Sequence, residues 1–431
     1  MICELCMLFG AVDSVSLQVP LGNSLAGYGS ISRRSLNPFS AAFNPPEHYF
    51  KNSFEQEADG VRVGVMVLKK SETAINKGRQ LAFFSFETVA ISAEMRLDLI
   101  DKIRFYGFDE TNTFISATHT HSGPGGLSKS ALWQFVATDR FQNKFYESTL
   151  NQAANLLKNS IEKLQPVNLE HVFFQSSGVQ VNRRDSAGPV DNQANIILMS
   201  SSKTKNILGG MLNYSVHGTA LGPGNLKLSG DVPGAITRAV EKEIGGNSRF
   251  LFLSGASGDT APSVNGIEAL QILPEKFIEQ LRPALQNRLP LASEWRVNTT
   301  KITMEDPKLN TEHCGVFPKG SFMASLLPNV SVKKWLASEI ELSKISLGNL
   351  DLYVWPGEPV AAVGLELLKK MSTQNTQKPL ILALTNDYLG YFANQWAFQS
   401  SQYEACSSFF GPLAPSKIIE AFKNIDAVSM P

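Results

Sequence analysis

The sequence predicts an α/β fold, in which a large single domain of mixed β-sheets packed together is flanked by helices. Apolar, β-branched-rich runs alternate with amphipathic helical spacing along most of the 431 residues. The composition, 43% hydrophobic and 18% charged, is that of an ordinary globular protein with a large core. No internal repeat, low-complexity tract or strong linker interrupts the pattern. The sequence therefore predicts a single domain that spans residues 1–431.

The strands and helices are predicted from the spacing of apolar residues. The predicted strands are Val61–Leu68, Leu81–Phe86, Thr113–Ala117, Ala194–Met199, Met211–Val216 and Phe250–Leu253. Helical spacing covers Ala93–Tyr106, Asn143–Leu164, Val232–Ile244 and Pro274–Gln286. Asp231 is expected to cap the third helix, with Gly245 just past its end, and Pro283 to interrupt the fourth. Gly27–Asn52 and Lys308–Asn329 predict long loops, which in compact domains are often lids or substrate-binding elements.

The charge balance limits the classes of partner. Lysine plus arginine equals aspartate plus glutamate, at 39 each. Nucleic acid and anionic membranes attract a basic excess, so neither is expected as the main partner. A small-molecule or lipid acyl substrate is compatible with neutrality, because a lipid binds through apolar surface. Nothing in the sequence indicates an oligomeric state.

The N-terminus and the hydrophobic runs indicate whether the chain is expected to be secreted or to cross a membrane. No apolar run approaches the roughly 20 residues that cross a bilayer, so no transmembrane segment is expected. The N-terminal residues include an acidic side chain and no basic segment, which makes a poor secretory signal and favours a cytoplasmic location. The four cysteines, Cys3, Cys6, Cys314 and Cys406, leave the redox compartment open, since disulfide-built scaffolds carry more.

Three of the six histidines follow predicted strands. His119 and His121 form an H-x-H pattern that runs into a glycine-rich turn. Residues i and i+2 of an extended chain point to the same side, so both imidazoles are expected at one site. His217 also lies where a strand feeds a glycine loop, a common location of sites in α/β proteins. The H-x-H pair alone fits hydrogen-bonded residues at a strand end as well as zinc ligands, whereas a histidine such as His217 is by itself more often a packed or capping residue.

Two later segments place polar side chains after apolar strands. Glu358 follows Pro356 and Gly357 in a tight turn, and Tyr388 and Tyr391 follow the apolar run Ile381–Leu384. An exposed turn glutamate and two packing tyrosines are the ordinary interpretations of such segments.

In combination, these motifs resemble the catalytic domain of the neutral, non-lysosomal ceramidases, zinc amidases that cleave the amide of N-acylsphingosine. The eleven-residue run Ser116–Gly126 is the specific element of the resemblance. The weaker motifs keep the family's order over roughly residues 16–425. They are Asn182-Arg183, Val216–Thr219, Gly258-Asp259 with Pro262, Pro356–Glu358, Asn386–Tyr391 and Tyr403–Pro412.

The resemblance implies one zinc ion per chain, held by His119, His217, Glu358 and Tyr391, with Tyr388 as the alternative to Tyr391. A bound cation would have to favour the phenolate, because the free pKa of tyrosine is about 10. His121 is implied to act beside the metal as a catalytic proton shuttle. Arg183 matches the family's active-site arginine, which suits a developing oxyanion.

The chain departs from the family pattern at Ala261, where members with ceramidase activity have a serine that is a proposed participant in catalysis. Thr260 is expected to point the other way, and Ser263 lies beyond Pro262. A zinc-activated water needs no serine, so water is the expected nucleophile. The family's additional C-terminal β-sandwich domain is not expected in this chain. Because relatives typically act outside the cell or on membrane surfaces, the resemblance keeps a secreted location open.

The sequence therefore predicts a zinc-dependent, ceramidase-like hydrolase that cleaves the carboxylic amide of N-acylsphingosine or a related N-acyl substrate. One alternative, motivated by Ala261, is a catalytically silent relative that binds zinc or a ligand. Another is an esterase that acts on a smaller, soluble substrate. A redox or electron-transfer role through Cys3 and Cys6 is a third hypothesis.

Overall fold

The computed structural model describes residues 7–29, 33–34, 48–51, 57–71, 79–314, 329–372, 378–400 and 402–428. Cys3 and Cys6 lie outside these ranges, as do large parts of the two predicted loops, Gly27–Asn52 and Lys308–Asn329.

Strands and helices alternate along the described chain. The strands are β1 Leu8–Ser16, β2 Glu57–Gly60, β3 Arg62–Lys70, β4 Gln80–Phe86, β5 Thr113–Ala117, β6 Gln165–Gln175, β7 Gln180–Asn182, β8 Gln193–Ser201, β9 Ile207–Tyr214, β10 Leu228–Ser229, β11 Arg249–Ser254, β12 Thr260–Pro262, β13 Leu289–Leu291, β14 Trp295–Thr303, β15 Lys308–Leu309, β16 Val330–Ser331, β17 Glu339–Leu347, β18 Leu350–Val354, β19 Glu358–Pro359, β20 Leu380–Leu382 and β21 Tyr391–Phe392. The helices are α1 Ala93–Ile103, α2 Ala131–Trp133, α3 Asn143–Glu162, α4 Asp231–Ile244, α5 Ala269–Ala284, α6 Ala361–Met371, α7 Gln395–Gln399, α8 Tyr403–Cys406 and α9 Ala414–Val428, with a π-helix at Gln134–Thr138.

A large mixed sheet forms the centre of the fold. Its strand order is β11-β9-β8-β6-β1-β3-β4-β5, and β13 pairs with β6 beside this path. The β11–β9 and β4–β5 pairs are parallel, whereas β1 pairs antiparallel with β3 and β6. Strand β3 is buried from Val63 to Leu68, as expected of a strand covered on both faces.

A second sheet, with the order β14-β17-β18-β20, packs on the first. The core between the two sheets joins Met66 and Phe83 of the large sheet to Ile345 and Leu352 of the second. Helices α1, α3, α4 and α5 cover the opposite face of the large sheet, and α6 and α9 cover the opposite face of the second. This helix–sheet–sheet–helix arrangement confirms the predicted α/β fold of packed mixed sheets flanked by helices.

Several predicted boundaries are wrong in detail. The strand predicted to reach Val216 ends at Tyr214, and α5 begins at Ala269 and contains Pro283 without interruption, ending one residue later. Asp231 is the first residue of α4 rather than its N-cap, which is Gly230. The Asp231 carboxylate accepts hydrogen bonds from the backbone N–H groups of Ala220 and Leu221, so it ties the preceding loop to the helix. Gly245 ends the helix as predicted.

Two further findings bear on the predictions. Cys314 and Cys406 form a disulfide between the segment after β15 and helix α8, a pairing that the sequence did not indicate. No helix in the described ranges is long and apolar enough to span a membrane.

Candidate metal and catalytic site

The H-x-H motif lies in a bend just beyond β5, not in the strand itself. The strand ends at Ala117, and His119 has a φ of 63°, in the left-handed region that few residues other than glycine adopt. Its backbone N–H donates to the carbonyl oxygen of Thr88, which holds the bend in place. The two imidazoles nevertheless converge as predicted, with the Nε2 atoms of His119 and His121 3.3 Å apart. Backbone strain of this kind is often found at functional sites.

His217 joins them from the loop after β9. The backbone N–H of His121 donates to the carbonyl oxygen of Gly218, which fastens the two loops together. The ring centroids of His119 and His217 are 4.4 Å apart. Each of the three buried histidines offers one nitrogen that lies within 4.8 Å of the others, so the group could hold a metal ion.

Backbone carbonyl groups fix the orientation of two of the rings. The Nδ1 atom of His119 lies 2.6 Å from the carbonyl oxygen of Val89, and that of His217 lies 3.0 Å from the carbonyl oxygen of Ser257. Because a carbonyl oxygen only accepts, each Nδ1 carries the hydrogen. A ring held in this way directs Nε2 into the site, and a polar partner on the far nitrogen is the usual arrangement for histidines that bind metals.

Glu358 faces these two Nε2 atoms. Its Oε2 atom is 3.0 Å from Nε2 of His119 and 3.7 Å from Nε2 of His217. Among the described residues, neither Oε2 of Glu358 nor Nε2 of His217 has a hydrogen-bond partner, and both side chains are buried. A cation between this carboxylate and the two imidazoles would satisfy the buried Glu358 Oε2 and His217 Nε2 atoms. Two imidazoles and a carboxylate are a donor set that suits zinc.

The two candidate tyrosines differ in their contacts. Parallel pairing of β19 with β21 sets Tyr391 beside Glu358, and Nη2 of Arg183 donates to the Tyr391 hydroxyl oxygen at 3.2 Å. The Tyr388 hydroxyl donates to Oε1 of Glu358 at 2.5 Å, which requires the protonated phenol. Burial raises the pKa of both tyrosines, but the adjacent guanidinium lowers that of Tyr391 in part. The contacts are thus compatible with the choice of Tyr391, which stays a prediction.

Arg183 is held by contacts to three groups around the site. Its Nη2 donates to the carbonyl oxygen of Gly258 at 2.7 Å, and its Nε donates to Glu404 at 3.0 Å. Glu404 is fully buried, and the sequence assigned it no role because it lies 221 positions from Arg183. Gly258 is required by close packing, since a Cβ there would approach the carbonyl oxygen of Glu358 to 2.9 Å.

The charges around the site follow from burial and from neighbouring groups. Burial raises the pKa of Glu358, but His119, Tyr388 and Arg183 outweigh it, so the net shift is downward. Burial, and then the proximity of His119, lowers the pKa values of His121 and His217 well below the usual range. Unprotonated imidazoles beside an ionised carboxylate form the state that binds a cation.

The hydroxyl groups nearest Ala261 are engaged elsewhere. Ala261 lies in β12, opposite Val181 of β7. The Thr260 hydroxyl donates to the carbonyl oxygen of Ser257 at 3.1 Å, and the Ser263 hydroxyl donates to that of Gly178 at 2.7 Å. Neither hydroxyl therefore replaces that of the family's serine.

A pocket of 680 Å³ opens over these groups. Its size lies within the range of small-molecule sites. Part of its lining is apolar and comes from α1, α2 and the chain between Leu127 and Ala137, while Arg183, Arg184 and Tyr403 contribute polar groups.

A model of the family described as neutral/alkaline non-lysosomal ceramidase, N-terminal, matches residues 53–272. The chain belongs to this family. The match contains His119, His121, His217 and Arg183, whereas Glu358 and Tyr391 lie beyond it.

Individual relatives in this ceramidase family are distant in sequence. The chain is 20% identical to neutral ceramidase B of Dictyostelium discoideum over 80% of this chain and 65% of the relative. It is 19% identical to a neutral ceramidase of Mycobacterium tuberculosis over 70% of this chain and 61% of the relative. The chain thus spans less than two thirds of the length of both. A solved neutral ceramidase from Pseudomonas aeruginosa matches 97% of this chain and 74% of its own, with a TM-score of 0.78 at 16% identity. This agreement shows a common fold.

Proposed function

We propose that the protein is a zinc-dependent amidohydrolase that cleaves the amide bond of an N-acyl lipid, with ceramide as the first candidate. The observation that carries the proposal is the convergence of Nε2 of His119, Nε2 of His217 and Oε2 of Glu358. Family membership supports the reaction class, and the relatives are named as neutral ceramidases. Tyr391 is the proposed fourth ligand.

Zinc held by these residues would supply Lewis-acid polarisation of the scissile carbonyl and would bring the pKa of a bound water toward about 7. His121, whose ring lies 3.3 Å from that of His119, takes the proton from the attacking water and delivers it to the leaving nitrogen. Arg183 lines the pocket and donates to the oxyanion that develops on the carbonyl oxygen. A C–O bond forms and the C–N bond breaks, so the products are a carboxylic acid and an amine.

Water is the proposed nucleophile because position 261 is an alanine and the two hydroxyl side chains closest to it in sequence are engaged elsewhere. Thr260 and Ser263 both donate to backbone carbonyl groups. Attack by a serine would give a covalent acyl-enzyme, whereas attack by water gives none.

The test is elemental analysis of the wild type and His119→Ala, together with hydrolysis of a fluorogenic short-chain ceramide. We expect one zinc per wild-type chain, its loss in the variant, and turnover that a chelator abolishes. His171→Gln, at a buried histidine outside the site, is the matched control and is expected to keep its zinc. Wild-type protein that takes up no zinc on reconstitution would refute the metal site. Zinc-loaded protein that cleaves none of a broad panel of amides would refute the activity.

A further inference from the structure

Arg184 stands beside Arg183 on the wall of the same pocket that contains His119 and Glu358. The two arginines share one partner, because Nε of Arg184 donates to both carboxylate oxygens of Glu404 at 2.8 Å and Nε of Arg183 donates to one of them. A single carboxylate thus pairs with two guanidinium groups. Arg183, Arg184 and Glu404 together therefore keep one positive charge that none of the three balances.

The outer nitrogens of Arg184 differ from those of Arg183. Nη2 of Arg183 is engaged by Gly258 and Tyr391, whereas Nη1 and Nη2 of Arg184 have no hydrogen-bond partner among the residues that the structure describes. The Arg184 side chain is 26% exposed. Its guanidinium carbon lies 5.7 Å from the centroid of the Tyr403 ring, a cation–π contact that, together with the Glu404 pair, holds the guanidinium in place.

A fixed guanidinium with free outer N–H groups is suited to binding an oxyanion, since its planar fork matches a carboxylate in bidentate fashion. Three consecutive contacts, Arg184 to Glu404, Glu404 to Arg183 and Arg183 to Tyr391, connect this fork to the edge of the proposed metal site. Arg184 and Tyr391 line the same pocket as His119 and Glu358, so a substrate bound there contacts both the fork and the proposed metal site. The hydroxyl groups of the ceramide headgroup can accept from these donors, but they carry no charge that would balance the guanidinium.

We propose that Arg184 forms an oxyanion subsite, and that the preferred substrates are N-acyl compounds whose amine half carries a carboxylate, as in N-acyl amino acids. This inference rests on the proposed amidohydrolase function. A phosphate on the amine half shares the recognition chemistry. The apolar lining from Met95, Leu127 and Trp133 leaves room for an acyl chain in the same pocket.

The test compares three substrates with the same acyl chain on zinc-loaded protein: N-lauroylglycine, neutral N-lauroylethanolamine and N-lauroylethanolamine phosphate. We expect wild-type kcat/KM to be at least tenfold higher for N-lauroylglycine than for the neutral substrate. Because hydrogen bonds to charged groups contribute about 1.5–3 kcal/mol, Arg184→Gln should lower kcat/KM for N-lauroylglycine about 10- to 100-fold more than for the neutral substrate, mainly through KM. Arg184→Lys should recover part of the loss. Arg282→Gln, which breaks an exposed arginine–glutamate pair far from the pocket, is the matched control and should not change the preference.

The outcomes distinguish the oxyanion subsite, the choice of a carboxylate and the proposed amidohydrolase function from one another. A preference for the neutral substrate, or an equal loss on all three substrates in Arg184→Gln, would overturn the subsite. A preference for the phosphate would support oxyanion recognition and overturn the choice of a carboxylate. If zinc-loaded wild type cleaves no substrate, the proposed function fails, and calorimetric binding of N-lauroylglycine and N-lauroylethanolamine tests the subsite separately. Equal affinities for both compounds, unaffected by Arg184→Gln, would then overturn it.

Discussion

Substitution of Glu358 by glutamine tests whether the buried carboxylate is a metal ligand or only a partner of His119. The amide is nearly isosteric and keeps an oxygen that can accept from the Tyr388 hydroxyl, which now lies 2.5 Å from Oε1. It removes the charge at the position of Oε2, 3.0 Å from Nε2 of His119. Packing is thus preserved while the ability to hold a cation is reduced.

The expected magnitude follows from linkage between binding and folding. Free zinc at a thousand times its dissociation constant stabilises the wild type by about 4 kcal/mol. Loss of an outer partner of a metal ligand costs about 10- to 100-fold in affinity, so loss of a direct ligand should cost at least 100-fold. At the same zinc concentration, zinc would therefore stabilise the variant against unfolding by only about 1.4 kcal/mol.

The assay is urea denaturation of the wild type and Glu358→Gln, each with and without zinc. The quantity compared is the zinc-dependent change in the free energy of unfolding, so any effect of the substitution on the metal-free protein cancels. Glu87→Gln is the matched control, because Glu87 is also buried and pairs with Arg238 outside the site. It should lower stability and leave the zinc response intact. Equal zinc responses in the wild type and Glu358→Gln would refute the assignment of Glu358 as a ligand.

Three further outcomes are expected. His121→Ala should keep its zinc and lose about 10²- to 10⁴-fold in kcat, measured by metal content and steady-state kinetics; loss of the zinc as well would make His121 a ligand. Burial raises the pKa of Asp231 to about 6, so the folded state binds this proton more tightly than the unfolded chain. The contribution of this proton to the free energy of unfolding is fully present below about pH 4. It falls as the pH rises to about 6, by at most about 3 kcal/mol. Urea titrations of Asp231→Asn across that range should lack this pH-dependent contribution. An identical pH dependence in that variant would contradict the assignment. Replacing Cys314 and Cys406 by serine opens a crosslink between positions 92 residues apart and should lower the free energy of unfolding by about 2–5 kcal/mol. A reducing agent should reproduce this loss in the wild type, and unchanged urea midpoints would count against a stabilising disulfide.

The parts of the fold that follow from local patterns could be predicted from the sequence. Strand β5 matches its predicted bounds, and β3, β4, β8 and β11 differ from the predictions by at most two residues at either end. These strands are buried, so an apolar run is sufficient to reveal them. Strands β14 and β17 were missed, because polar and charged side chains alternate along them on a half-exposed sheet. Strand β1, which is partly polar towards its end, was missed as well.

The site was predictable to the extent that short motifs encode it. The H-x-H pattern indicated that His119 and His121 would meet, although the physical reason was wrong, since a bend at His119 and not strand alternation brings the rings together. The backbone carbonyl groups that orient His119 and His217 could not be predicted, because any residue can supply a carbonyl oxygen. Only the tertiary fold determines which one is in reach.

Glu404 is the clearest case of a residue that the local sequence could not assign. It follows a tyrosine in a four-residue helix, and although the segment Tyr403–Pro412 is part of the resemblance, nothing in it indicates that the Glu404 side chain is buried or which residues it contacts. It is nevertheless fully buried because two arginines from the end of β7 neutralise it, and an unpaired carboxylate there would be costly. The Cys314–Cys406 disulfide anchors the same short helix. The position of Arg184, and with it the proposed preference for an anionic substrate, therefore depends on a contact between segments 220 residues apart, which only the tertiary structure brings together.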